Sequence, residues 1–433
     1  MTGAAFAGLA ACGLDFGTSN TTLGIADESP ALVALEGDRE TLPSAIFFGT
    51  REKGAIRDPA PLIGRAAIRA YTAGEDGRLM RSLKSVLGTD LIDQDTLLDS
   101  RRIAFREVLA RLLSEIKRRG EVAAGRTLDA VVHGRPVHFV DGDEAGDARA
   151  EAALAEIARM VGFRHVTFQY EPIAAALDYE RQVTHEEIAL IADIGGGTSD
   201  FSIVRIGPER RRRVERGEDI LANDGVRIGG TDFDRLLSLN AFMPLLGYRS
   251  PMRKRGLNAP NGYFTDLATW SKINLLYTPA ILSQLVQVQR ESAVPDLIGR
   301  LIRVIEDHHG HRLAMLAERT KIRLVEANAV KAPLDWIETG LAATLDRADF
   351  NTATAELADR IGAGIRATIE DAIRDAGLTA SAIDAVFLTG GSTLLPNVRS
   401  AILTCLPEAR VVDGDRFGSV GLGLTLEAAR RYR

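Results

Sequence analysis

The chain has 433 residues, more than one simple core usually holds, so two domains or lobes are expected. Hydrophobic residues make up 45% and charged residues 26%, ordinary for a globular protein, and the net charge of -6 gives no bulk attraction to nucleic acid or an anionic membrane. Cys12 and Cys405 lie too far apart for metal spacing or a disulfide framework, which suits a reducing cytoplasm, and no run of about eighteen apolar residues marks a membrane span.

At the N-terminus, Leu9-Ala10-Ala11-Cys12 superficially resembles a lipoprotein cleavage box, but no Lys or Arg precedes it and the apolar run is short for a signal sequence. Residues 12–50 read as a β-meander: a hairpin, then Ala31 to Leu35, a polar turn at residues 37–40, and Ser44 to Phe48. Residues 101–119 read as an amphipathic helix, with Ile103, Val108, Leu112, Leu113 and Ile116 on one stripe. A strand over 130–134, a helix over 147–161 and a strand over 166–169 follow. Glu171-Pro172 then opens an alanine-rich helix, with proline in its first turn. The plan restarts at Ile188 with a second hairpin. Residues 209–216, with four consecutive arginines, read as a solvated hairpin tip, because acidic residues interrupt the run and no aromatic interleaves it. Residues 244–264, rich in Pro, Gly and Asn, read as an exposed connection that could serve as a docking or lid loop.

The chemistry lies in the two hairpins. Leu14-Asp15-Phe16-Gly17-Thr18-Ser19-Asn20 recurs in altered form as Ala192-Asp193-Ile194-Gly195-Gly196-Gly197-Thr198-Ser199-Asp200. Each is an apolar strand, an Asp, glycine and hydroxyl residues, and a second apolar strand. Such turns suit a polyphosphate: glycines let backbone N–H groups approach its oxygens, hydroxyls add donors, and the aspartates can hold a hydrated divalent cation. An Asp in such a place also caps its own turn, but two copies in register favour the shared cation. A third glycine turn, Gly390-Gly391-Ser392-Thr393, follows a strand near the C-terminus. No Gly-x-x-x-x-Gly-Lys-Ser/Thr loop and no helix-opening Gly-x-Gly-x-x-Gly exist, which removes the P-loop and the dinucleotide fold. Lys84 is a candidate phosphate cation, although residue type alone would make it a solvated helix lysine.

These segments, with Glu171-Pro172 and Ile228-Gly229-Gly230-Thr231-Asp232-Phe233-Asp234, stand in an order that closely resembles the ATPase domain of the seventy-kilodalton heat-shock proteins. The resemblance runs from about residue 12 to 425 and looks like the short, YegD-like branch, since the chain stops where that family continues into a peptide-binding domain. It implies an α/β actin-like ATPase (ribonuclease H-like) fold, two duplicated lobes around a nucleotide cleft. Residues 1–187 would form lobe I, and 188–433 lobe II, with the C-terminal helix returning to lobe I.

The resemblance also assigns roles. Asp15 and Asp193 match aspartates that hold magnesium through water, and Glu171 a carboxylate ordering a metal-bound water. Thr18 and Thr198 match hydroxyls at the terminal phosphate, with Gly17, Ser19, Gly195, Gly196 and Gly197 in the turns. Lys84 matches a lysine required for hydrolysis, and Pro136 a proline linking nucleotide state to the surface, with Arg149 as its nearest candidate partner. Gly229, Gly230, Glu318, Lys321, Gly390, Gly391 and Ser392 match positions near ribose and adenine. Two positions depart: the arginines that sandwich adenine in the family appear here as Ile322 and Leu394, exchanging ~1–2 kcal/mol of cation–π stacking for apolar contact. The implied function is magnesium-dependent binding and slow hydrolysis of ATP in the cytoplasm, with a client or co-chaperone protein as partner and no role for nucleic acid or membrane. A small-molecule kinase, a nucleotide-dependent filament protein and a non-hydrolysing sensor share the fold and remain alternatives.

Overall fold

Alternation of apolar residues in Cys12, Leu14 and Phe16 buries one face of the strand that carries Asp15. The computed structural model describes residues 8–50, 60–98, 101–140, 143–181, 183–213, 215–414 and 418–432. They form two compact units, the first built from residues 1–226, 364–393 and 403–433 and the second from 227–363 and 394–402. Position 187/188, the expected lobe boundary, lies within the first unit.

In the first unit, β1 (Ala11–Phe16) and β2 (Asn20–Ile25) make the first hairpin, and β3 (Ala31–Leu32) and β4 (Leu42–Pro43) both pair with β2. β5 (Ala45–Gly49) instead joins β6 (Leu62–Ile63) and β7 (Gly77–Arg81) in another sheet. The meander expected over 12–50 is thus split, at Pro43, which has no N–H with which to continue a ladder. Helix α1 (Arg65–Thr72) covers β5. β8 (Asp95–Leu98) and β9 (Arg101–Ala104) form a hairpin with Thr96 opposite Ile103. Residues 101–104 are therefore strand, not helix: Ile103 is buried as a ladder residue, and α2 (Phe105–Ala124) begins after it. The rest of the predicted stripe, Val108, Leu112, Leu113 and Ile116, is buried on α2 as expected.

β10 (Ala130–Arg135), α3 (Glu144–Met160), β11 (His165–Tyr170) and α4 (Glu171–Glu180) come next, then β12 (Glu187–Ile194), β13 (Ser199–Ile206) and β14 (Ile220–Val226). The second unit contains the pair β15 (Ala329–Pro333) and β16 (Ala342–Asp346); the chain returns to the first unit for β17 (Ala385–Thr389) and β18 (Arg410–Asp413). One sheet runs β3-β2-β1-β10-β11 and the other β14-β13-β12-β17-β18. In both, the hairpin partners are antiparallel and the strands on its other side parallel.

One core packs α2 and α3 on the first sheet. A second draws Ala130 and Val132 from one sheet and Ile191, Val204 and Phe387 from the other around α4 and the helix Ser419–Tyr432. That crossing is tight: a Cβ on Gly423 would lie 1.8 Å from the Ala174 carbonyl oxygen, which is why alanines and glycines line it.

The arginine-rich segment corrects its sequence reading. Arg216 is buried, donating through Nη2 and Nη1 to Glu180 at 2.9 and 3.1 Å and through Nε to Asp219, while Arg210 joins Asp219 at 2.8 Å to Glu186 at 2.9 Å. The segment is thus riveted to the end of α4 rather than solvated throughout, leaving Arg212 and Arg213 exposed. Arg216→Met should cost about 3–5 kcal/mol in urea unfolding, because two buried carboxylates lose their cation, and the Glu180→Met/Arg216→Met pair should cost less than the single change.

In the second unit, the helix Gly230–Leu237 packs on Gly310–Glu326, and Phe233 stands 6.5 Å from Phe350 between ring centroids. Residues 244–264 are more than a connection: Leu246 and Phe264 are buried, and Asn261–Leu267 is helical. Among the described residues, no helix is long and apolar enough to cross a membrane.

Candidate functional site

The two hairpins close with the same turn bond. Gly17 N–H donates to the Asn20 carbonyl at 3.0 Å, and Gly195 N–H to that of Thr198 at 2.9 Å. The turns also meet, since a Cβ on Gly196 would fall 2.2 Å from Ser19 Oγ. Ser44 braces the first turn, its hydroxyl donating to Gly17 O at 2.7 Å and its N–H to Ser19 O at 2.9 Å. Sequence reasoning missed Ser44, for nothing in its local pattern marks it.

The third turn locks onto the second. Ser392 Oγ donates to Gly195 O at 3.3 Å. Gly390 has φ +81°, and a Cβ there would lie 2.4 Å from Ile194 O and 2.6 Å from Asp193 Oδ1. Gly390→Ala should therefore destabilise the protein by more than about 2 kcal/mol in chemical denaturation, through left-handed strain plus a backbone collision. A cost near zero would mean that the turn rearranges freely.

Asp15 is the last residue but one of β1 and Asp193 the last but one of β12, both half-buried, and the Asp193 charge acts on Asp15. Burial, then the neighbouring Glu171 and Asp193, pushes the Asp15 carboxyl up to about 8. Burial, then Asp200 and Glu171, pushes Asp193 up to about 7. Lys84, in the short turn Leu83–Val86, stands among these acids and donates from Nζ to Glu171 Oε1 at 2.5 Å, both side chains largely buried. Burial opposes the Lys84 charge, but Glu171, Asp15 and Asp200 outweigh it and raise the ammonium's pKa. Glu171 reaches the pair from the first residue of α4, passing Gly134, where a Cβ would stand 3.3 Å from its Cγ. Asp200 enters the constellation unforeseen as a site residue; it accepts from Thr198 Oγ1 at 3.0 Å. It faces Asp193 across the second hairpin, as Thr22 faces Asp15 across the first, whereas residue order in the repeat sets it against Asn20.

Four carboxylates around one ammonium, two of them forced toward protonation, fit a divalent cation whose charge would relieve the repulsion. Among the described residues no three His, Cys, Asp or Glu side chains are grouped to ligate a metal directly.

The other expected residues divide between units. Gly390, Gly391 and Ser392 belong to the first, beside Gly195. Gly229 and Gly230 open the helix Gly230–Leu237 of the second, where Lys321 Nζ donates to Gly230 O at 2.8 Å and pairs with Asp234 at 2.9 Å. Glu318 is exposed on the same helix as Lys321, and Ile322 is 58% exposed. Arg149 pairs with Asp143 at 3.2 Å, whereas Arg135 is the arginine that bonds the Pro136 carbonyl, at 3.1 Å.

Compared with known families, the chain matches the one described as Hsp70 protein over residues 62–243 and 303–421.

Proposed function

Because the chain belongs to the Hsp70 family, whose members are ATP-binding, chaperone-like ATPases, we propose that it binds ATP and hydrolyses it slowly, with magnesium, to drive closure of two duplicated lobes. The mixed α/β architecture agrees with the actin-like ATPase fold of that family, and the shared strand order of the two sheets supports the duplication. The observation that carries the reading is the Lys84–Glu171 pair set among Asp15, Asp193 and Asp200 where two matching glycine turns meet.

In this reading the backbone N–H groups of Gly17, Gly195, Gly196 and Gly197 and the hydroxyls of Thr18, Ser19 and Thr198 hold phosphate oxygens, a role for which Gly196 must stay without a side chain. Asp15 and Asp193 would hold magnesium through water, and when bound the ion offsets charge on the phosphates. Lys84 donates to the transferring phosphoryl group, and Glu171 fixes Lys84 and accepts from the in-line water, so the lysine steadies that water through the carboxylate. Gly390, Gly391 and Ser392, beside the second turn, would approach the adenosine. Turnover is slow because the output is closure rather than product. A cytoplasmic setting and a client or co-chaperone protein as partner complete the proposal.

Calorimetric titration with ATP, ADP and GTP, with and without Mg²⁺, followed by phosphate release, tests it. Tight magnesium-dependent adenine-nucleotide binding with slow release of phosphate is expected. Absence of nucleotide binding would overturn the reading.

A further inference from the structure

Strand β10 places a histidine where its pattern asks for an apolar residue. His133 follows Val131 and Val132 and is completely buried. Its ladder neighbours are Leu14 on β1, next to Asp15, and Phe168 on β11, whose ring centroid is 5.9 Å away. Leu14 belongs to the core that also takes up Leu83, Val86 and Leu87, and the partly buried Phe168 packs against it, so His133 sits on the sheet face that shares this core with the turn carrying Lys84.

The imidazole is held in one form. Nδ1 lies 3.0 Å from the Gly134 carbonyl oxygen, which can only accept, so Nδ1 bears the proton and Nε2 presents a lone pair. Burial, then the nearby Lys84 charge, lowers the pKa to about 4, so the ring is neutral at physiological pH. Among the described residues Nε2 has no hydrogen-bond partner. A buried acceptor left without a donor is costly, and the donor-rich group whose charge reaches this ring is the Lys84 ammonium. Glu171 takes one of its three N–H groups and the proposed phosphoryl group a second.

We infer that His133 is a positioning residue for Lys84: its Nε2 accepts the third ammonium N–H, through one bridging water or directly once the lysine settles on substrate. His133 and Gly134 then form a two-residue support, the first aiming Lys84 and the second leaving room for Glu171. The inference rests on the ATPase reading for its kinetic consequence but not for the contact itself.

Two measurements test it. In protein labelled with ¹⁵N-histidine at pH 7, the Nε2 resonance that disappears in His133→Leu should shift in Lys84→Met; a resonance that stays in place overturns the contact, whether or not the protein hydrolyses ATP. In single-turnover phosphate release, His133→Leu should be slower by roughly 10–100-fold with nucleotide affinity nearly unchanged, since a small displacement of a reacting group costs that much. His133→Gln, which returns an acceptor in similar volume, should recover most of the rate in variants of matched thermal stability. Equal losses in the Leu and Gln variants, or none in either, would overturn the positioning role. A wild-type protein that releases no phosphate counts against the ATPase reading, and the ¹⁵N arm then decides the inference alone.

Discussion

Lys84→Ala should slow ATP hydrolysis by about 10²–10³-fold while changing nucleotide affinity only a few-fold. The asymmetry follows from where the donors lie. In the proposed site, ground-state phosphates would have the backbone amides and hydroxyls of two turns to hold them, and none of these depends on the lysine side chain. Charge that develops during transfer has Lys84, already aimed by a 2.5 Å bond to Glu171. Glu171→Gln keeps an acceptor of the same shape but removes its charge, so it should cost less than the lysine change. Isothermal titration and single-turnover phosphate release separate the two effects. A Lys84→Ala enzyme with normal turnover takes Lys84 out of the mechanism, whereas loss of affinity alone would make it a simple phosphate clamp.

What could be read in advance tracked the range of the interactions. The hairpins were legible because strand alternation and glycine turns are written within about ten residues, and both were found in register. Lys84 carried no local signal; only resemblance singled it out, since its partner Glu171 lies 87 positions away. Ser44 and His133 were missed for the same reason, each being ordinary until folding sets it against the first turn or the lysine. Period counting failed at Ile103, where one apolar residue fits helix and strand alike. Charge counting failed at Arg216, because a run of arginines does not reveal that Glu180 and Asp219 wait in the interior.

The acids make a second prediction, on stability rather than rate. Asp15 and Asp193 titrate near 8 and 7 in the folded protein against about 4 when unfolded. A raised carboxyl means that the folded state holds protons which the unfolded chain has released, so its stabilising contribution is complete below about pH 4 and disappears as pH climbs through 7 to 8. His133 acts in the opposite sense: depressed to about 4, it removes stability as pH falls below about 6.5. The two effects oppose each other between about pH 4 and 6.5. Above that window only the aspartates act, and urea midpoints of ligand-free protein should fall between about pH 6.5 and 8.5, by an amount on the order of a few kcal/mol. Millimolar Mg²⁺ with ADP should flatten the decline, because a nearby cation favours the ionised carboxylates. Asp15→Asn with Asp193→Asn should flatten it without any ligand. A decline of the same steepness in that double variant would mean that other groups release the protons, and that these aspartates do not crowd one another as the folded chain places them.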